Sequence, residues 1–240
     1  MSPSKPVLTY FNSRGKSEII RLILAEAGVD YEEVNVGVWH PTDKSEQFQQ
    51  LVQSGTLAFD SLPSYKDDQI FLVQSAAIVR YLAKRYGLSG SNLVEESLID
   101  QFYEGVLDIT TLLRSAFNVM YPVTKEVSSA TIEETMEMIG REKLPNCISH
   151  FERALKGKTF LVGEKISYAD IALFYILDNL LELNAEYTNK FILDKNENLK
   201  AFYNRIKSRE GIQKHVNHPN RFPKQNLPGY ENVLSKLVQQ

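Results

Sequence analysis

Val7-Leu8-Thr9-Tyr10-Phe11, Asn12-Ser13-Arg14-Gly15, a helical run ending at Ala27-Gly28, and then Tyr31 to Val36: these thirty residues decide the architecture of the first third of the chain. Val7 to Phe11 follows Pro6 and is rich in aromatic and β-branched residues, so it reads as a strand, and the Asn-Ser-Arg-Gly stretch breaks it. Ile19, Ile20, Leu22, Ile23, Leu24 and Ala27 recur at helical spacing, and Gly28 stands where a left-handed residue ends a helix. Tyr31 to Val36 is the next strand. Strand, helix and strand in that order predict parallel neighbours joined by a right-handed crossover.

Working outward, residues 37–61 form a long polar segment that contains the only tryptophan, Trp39, and read as irregular. Leu62-Pro63-Ser64-Tyr65 and Ile70-Phe71-Leu72 flank Lys66-Asp67-Asp68-Gln69, which predicts a hairpin. A helix follows from about Ser75 to Tyr86, with Ile78, Val79, Leu82 and Ala83 on one face and Gly87 at its end. The sequence therefore predicts a four-stranded α/β domain over residues 1–87. The Gly/Ser/Asn-containing stretch at 88–93 reads as a linker, and residues 94–240 as an all-α domain. Its helices are expected near 94–121, 131–155, 167–184 and 197–209. Ser167-Tyr168-Ala169-Asp170 has capping-box spacing, with Ile166 and Ile171 placed for a hydrophobic staple; it reads as a folding element. Tyr230, Val233, Leu234 and Leu237 then make an apolar stripe at helical spacing in the tail.

Composition narrows the function. A length of 240 residues holds one large domain or two small ones. Lys plus Arg total 27 against 30 Asp plus Glu, so no basic surplus exists to neutralise phosphates, and a nucleic-acid partner is not expected. The single cysteine, Cys147, excludes an intrachain disulfide framework and a cysteine-rich zinc site. Of the four histidines, only His215 and His218 stand close in sequence, too few ligands for a metal. No apolar run reaches the roughly 20 residues needed to cross a bilayer, and residues 1–6 lack a signal-peptide core. A cytoplasmic protein without a membrane partner is expected.

Leu8 to Arg21, with its Tyr10-Phe11-Asn12-Ser13-Arg14-Gly15 core, resembles the start of a cytosolic glutathione transferase. The Leu62-Pro63 step, Gln74-Ser75-Ala76-Ala77-Ile78, and Gly163 with Ser167 to Asp170 are similar to further segments of that family. Together they span both predicted domains. The flavour is that of the tyrosine-type branch, nearest the sigma class, which includes glutathione-dependent prostaglandin D synthases, with mu and pi close by. The resemblance implies a thioredoxin-like N-terminal domain, an all-helical C-terminal domain, glutathione as co-substrate, no metal, and a homodimer.

It also implies roles. Tyr10 is the catalytic residue: a phenol at a strand's carboxyl end donates its O–H to the glutathione sulfur and favours the thiolate. A free thiol of pKa roughly 8.5 is only a few per cent ionised at pH 7, so full ionisation adds at most about thirtyfold; the rest comes from holding an electrophile beside it. Gln74 and Ser75 open a helix whose free N–H groups suit the γ-glutamyl carboxylate, although Ser75 as a plain N-cap explains the same residue. Pro63 resembles the family's cis-proline, with Leu62 offering its backbone to the cysteinyl part of glutathione. Phe11 borders the pocket. Lys16, Trp39 and Lys44 match positions that hold the glycyl carboxylate; for Lys44 a solvated surface lysine is the alternative. Asp108 matches an acid that reaches the other subunit's γ-glutamyl amine, or is a solvated helix acid. Lys16 departs from the arginine frequent in relatives and lacks its bidentate fork, and Ser61 replaces a longer polar side chain.

The electrophile is expected between the domains, near Phe11 and a helix face carrying Leu112, Ser115, Ala116 and Val119, a spacing that core packing explains equally well. The tail stripe suggests a lid. Conjugation to hydrophobic electrophiles is the leading activity; isomerisation of a prostaglandin endoperoxide and ligand carriage without catalysis are the alternatives. Asn12, Ser13 and Arg14 occupy the turn where a thiol-based relative needs cysteine, so the protein's own thiol–disulfide chemistry is not expected.

Overall fold

A computed structural model describes residues 5–39, 43–120 and 128–222. They form two compact units: residues 5–88 with 208–222, and residues 89–207. The predicted tail stripe lies outside the described residues.

In the first unit, β1 (Val7–Tyr10), β2 (Glu32–Asn35), β3 (Ser64–Lys66) and β4 (Phe71–Val73) make a mixed sheet in the order β2-β1-β3-β4. β1 and β2 are parallel; β1 with β3 and β3 with β4 are antiparallel. The crossover from β1 to β2 is α1 (Glu18–Glu26), entered through a 3-10 turn at Gly15–Ser17. Its Ile20, Leu22, Ile23 and Leu24 are wholly buried, which is why so short a helix holds. The hairpin turn is fixed by Asp67, whose carboxylate accepts the N–H groups of Gln69 and Ile70 at 2.9 and 3.0 Å and the Tyr81 hydroxyl at 2.7 Å. Tyr81 belongs to α3 (Ser75–Arg85), so one carboxylate ties β3, β4 and α3 together.

The segment at 37–61 corrects the sequence reading: it contains α2 (Glu46–Gln53). Ser45 caps it, its hydroxyl accepting the Phe48 N–H, and Phe48, Leu51 and Val52 join the core of Tyr10, Phe11, Val36, Leu57, Leu62 and Val73. The i, i+3, i+4 spacing of those three residues was the available signal, diluted by the surrounding glutamines.

Near the C-terminus of the described chain, α10 (Glu210–Val216) also packs on α1. A Cβ at Gly211 would stand 2.2 Å from the Ala25 carbonyl oxygen, so only glycine permits this approach. Arg209 Nε donates to Glu26 Oε1 at 2.9 Å beside it.

The second unit is helical: α4 (Leu93–Met120), α5 (Ser129–Glu137), α6 (Leu144–Leu155), α7 (Tyr168–Leu183), α8 (Ala185–Phe191) and α9 (Glu197–Lys207). α7 is its centre, with Ala169, Ile171, Ala172, Leu173, Phe174, Leu177 and Leu180 all fully buried. The predicted helix over 131–155 is interrupted by a π-helical stretch at Met138–Lys143. Pro145 explains the break, because it lacks the N–H that would bond residue 141 and its ring crowds that carbonyl. The nearby Gly140 carbonyl takes the Tyr187 hydroxyl instead.

Candidate active site

The register places the predicted site residues of the first unit at one edge of the sheet. Tyr10, the last residue of β1, is level with Asn35 of β2, while Thr9, Ser64 and Val73 align across β1, β3 and β4. The carboxyl ends of β1, β2 and β4 and the start of β3 therefore share that edge. Every connection leaving it supplies a residue that the sequence singled out.

Tyr10 is buried, and its ring meets Phe11 edge-on at 5.5 Å between centroids. The main-chain N–H of Lys16 donates to its hydroxyl oxygen at 3.0 Å. Gly15 makes this possible: its φ is +38°, and a Cβ there would lie 2.5 Å from the hydroxyl. An N–H donated to a phenol oxygen stabilises negative charge on it and makes the phenol a stronger donor. Phe11 packs on Phe48 at 5.2 Å, and the exposed Lys16 side chain leaves the same turn.

On the β2 side, Trp39 is half-buried, and the exposed Lys44 ammonium stands 6.0 Å from its ring centroid and 5.9 Å from that of Phe48. On the other side, the Leu62-Pro63 bond is cis. Continuing the two ladders past their last pairs brings Leu62 level with Phe11 and with Ser75.

Gln74 has φ 73° and ψ 109°, a left-handed backbone on a residue other than glycine, and makes no capping bond with its side chain. Such conformations cost about 1–3 kcal/mol and persist where the surroundings impose them. Gln74 rather than Ser75 is the N-cap, so the plain-cap alternative for Ser75 is corrected: Ser75 is the first helical residue, half-buried, with its N–H among those no helical carbonyl can satisfy.

Asp108 is an exposed residue on α4 of the second unit. On the same helix Leu112 is half-buried and Ser115 is exposed, its hydroxyl bonded to the Leu112 carbonyl at 2.7 Å; the side chains of Ala116 and Val119 lie outside the described residues. Among the described residues no His, Cys, Asp and Glu cluster could hold a metal ion. His215 instead meets Glu18 at 3.1 Å, while His218 Nδ1 accepts the Asn220 N–H.

Two residues inside the quoted motif had no role assigned from sequence. Glu18 and Arg21 are wholly buried charges on α1. Arg21 donates from Nε to both oxygens of Glu33, and from Nη1 to Glu18 Oε2 and the carbonyls of Ser13 and Arg14. Glu18 Oε1 accepts Arg221 Nε at 2.8 Å and faces His215 Nε2. Burial pushes the Glu18 carboxyl upward, but the His215 hydrogen bond and the charges of His215, Arg221 and Arg21 prevail and hold it at about 2. The Arg21 guanidinium is desolvated too, and its two carboxylate partners raise its pKa above the ordinary value. The visible signal was an acid and a base three residues apart in a helix that is otherwise apolar up to its last residue, Glu26, a pairing that burial makes obligatory.

Comparison with known proteins agrees with this geometry. Residues 6–84 match the family described as glutathione S-transferase, N-terminal domain, and residues 115–219 match glutathione S-transferase, C-terminal domain. The chain is 36% identical over 217 residues to glutathione S-transferase A2 of Mus musculus, covering 90% of this chain and 89% of the relative. It is 37% identical over 213 residues to glutathione S-transferase 3 of Gallus gallus, covering 88% and 85%. Among solved structures, the Onchocerca volvulus Pi-class glutathione S-transferase superposes with a TM-score of 0.71 at 30% identity, over 89% of this chain and 92% of that one. NaGST-2, at 24% identity and a TM-score of 0.73 over 90% and 97%, shares the fold. The chain belongs to the glutathione S-transferase family.

Proposed function

We propose that this protein conjugates glutathione to hydrophobic electrophiles, with Tyr10 stabilising the thiolate. The observation that carries the reading is the Tyr10 hydroxyl at the end of β1, braced by the Lys16 N–H and sharing one sheet edge with cis-Pro63 and the Gln74-Ser75 helix start. In this reading the cysteinyl part of glutathione lies along the Leu62 backbone as an added strand, which points its sulfur at Tyr10. The γ-glutamyl carboxylate sits at Gln74 and Ser75, where α3 presents unsatisfied N–H groups. Lys16, Trp39 and Lys44 take the glycyl carboxylate. Steady-state conjugation to a chlorinated dinitrobenzene, after retention on immobilised glutathione, tests the whole reading. Retention without turnover of any electrophile would leave a carrier.

Ser75→Ala separates binding from chemistry. It removes one hydroxyl from a carboxylate subsite far from the sulfur, so KM for glutathione is expected to rise about tenfold with kcat within twofold. A fall in kcat with KM unchanged would remove Ser75 from the carboxylate site.

Within the family, the motif at residues 8–21 supports a sigma-like assignment, while relatives such as glutathione S-transferase alpha-1 of Rattus norvegicus, 35% identical over 212 residues, support the alpha class. Isomerisation of a prostaglandin endoperoxide would favour sigma. The functional division into residues 1–87, a linker at 88–93 and residues 94–240, a cytoplasmic location and a homodimer belong to the same proposal. Support for the dimer comes from large apolar side chains facing solvent in each unit: Phe59 is 66% exposed, Leu93 78% and Val94 68%. Phe59→Ser is expected to move the protein from dimer to monomer in sedimentation velocity at micromolar concentration. A monomeric wild type would end the dimer reading and the role of Asp108 across it.

A further inference from the structure

We propose that Arg21 is a positioning residue for Tyr10: it holds the Ser13-Arg14 turn so that the Lys16 N–H stays on the Tyr10 hydroxyl. The proposal rests on the reading of Tyr10 as thiolate stabiliser.

Arg21 is 1% exposed, so it touches no substrate; whatever it does for catalysis passes through neighbours. Charge compensation does not account for its geometry. Glu33 already takes Nε at 2.8 and 3.1 Å and also Nη2, and Glu18 takes Nη1 at 3.2 Å. Yet Nη1 also donates to the Ser13 carbonyl at 3.1 Å and the Arg14 carbonyl at 3.2 Å. These two carbonyls belong to the turn between β1 and the Gly15–Ser17 segment, and the Arg14 carbonyl also accepts the Ser17 N–H at 3.1 Å. Two residues further on, that turn delivers the N–H that meets Tyr10. A guanidinium fork clamps two carbonyls and two carboxylates at fixed angles, which an ammonium cannot do. A second route runs directly through space, since the Arg21 guanidinium carbon lies 5.9 Å from the Tyr10 ring centroid. Cations over a ring favour electron density on it.

The clamp is itself clamped. Glu33 comes from β2 and receives the Tyr31 hydroxyl at 3.3 Å. Glu18 comes from α1 and is held by Arg221 and His215 from the C-terminal segment, and Phe222 lies 4.5 Å beneath the guanidinium. Arg14, itself a buried charge, adjoins the clamp through its carbonyl. The catalytic turn is thus fixed from three separate stretches of chain.

The test is the thiol pKa of bound glutathione, read from thiolate ultraviolet absorbance of the full-length protein saturated with glutathione, in wild type, Tyr10→Phe, Arg21→Lys and the double variant. Arg21→Lys keeps the charge and loses the fork. It is expected to raise the thiol pKa by about half to one unit, with KM for glutathione within about twofold. In the Tyr10→Phe background it is expected to add no further shift. A lower melting temperature with an unmoved thiol pKa would overturn the proposal and leave Arg21 a structural ion pair. So would an equal shift with Tyr10 absent. If Arg21→Lys does not fold, Glu33→Gln loosens the same guanidinium from β2 and is expected to shift the thiol pKa in the same direction by less; no shift overturns the proposal. If Tyr10→Phe itself leaves the thiol unmoved, the reading of Tyr10 fails and takes the proposal with it, whereas a shift in Tyr10→Phe alone sinks only the role of Arg21.

Discussion

Tyr10→Phe is expected to lower kcat/KM for conjugation of glutathione to a chlorinated dinitrobenzene by about five- to eightfold at pH 6.5, and by far less above pH 9. The thiol of free glutathione ionises near 8.5, so at pH 6.5 only about 1% is thiolate. A hydroxyl that donates to the sulfur, stiffened by the Lys16 N–H at 3.0 Å, stabilises the charged form. Two pKa units of stabilisation correspond to about 2.7 kcal/mol and bring roughly half of the bound thiol into the reactive state at that pH. Lower basicity also means lower nucleophilicity, which trims the gain to the expected figure. Phenylalanine keeps the edge-on contact with Phe11 and the buried ring volume, so KM for glutathione stays within about twofold. The pH profile is the decisive measurement. A constant loss at every pH would mean that Tyr10 orients the sulfur rather than ionising it, and no loss would remove Tyr10 from the mechanism.

The parts of this site that were legible in the sequence are those written in local chemistry. The crossover from β1 through α1 to β2 shows in the change of apolar period from strand to helix and in Gly28, whose φ of 66° matches the stop it signals. The hairpin shows in Asp67 and its flanking strands. Tyr10, Leu62-Pro63 and Gln74-Ser75 carried the resemblance, and the register of the sheet explains why residues so far apart in sequence share one edge. What stayed hidden depends on contacts made at a distance. α2 was lost because only three of its eight residues are apolar, and they count only once they meet Tyr10, Phe11 and Leu62. The approach of α10 to α1 turns on Gly211, a residue with no periodic signature. Arg21 was quoted without a role because its partners come from residues 13, 14, 18 and 33, and the lock on Glu18 from residues 215 and 221. A buried ion network is legible as charges in an apolar run; which loop it holds is a matter of tertiary structure.

Glu18 and Asp170 are both wholly buried acids, and they titrate in opposite directions for a reason visible in their partners. Glu18 faces cations, and these outweigh burial. Among the described residues, the hydrogen-bond donors to Asp170 are neutral: the Leu161 N–H at 2.9 Å, the Ser167 N–H at 2.8 Å and the Ser167 hydroxyl at 2.6 Å. Burial therefore wins, and pushes its carboxyl from 3.8 to about 6 although those bonds pull the other way. Asp170→Ala leaves two buried main-chain donors unsatisfied and removes half of the capping box of α7, the central helix of its unit. Each orphaned donor costs about 1–3 kcal/mol, so the variant is expected to lose about 3 kcal/mol and roughly 10 °C in melting temperature at pH 7. The raised pKa fixes how this loss depends on pH. A group that holds its proton more tightly when folded contributes most below its unfolded pKa, and that contribution declines as pH rises through its folded pKa. The difference in melting temperature between wild type and Asp170→Ala is therefore expected to widen as pH falls from 7 toward 4. If the difference instead narrows on acidification, the three donors hold Asp170 as a carboxylate and the hydrogen bonds, not burial, set its charge. In either case the damage is to folding: a protein that survives the substitution at low temperature should bind glutathione as the wild type does, because every residue assigned to the glutathione site except Asp108 lies in the other unit.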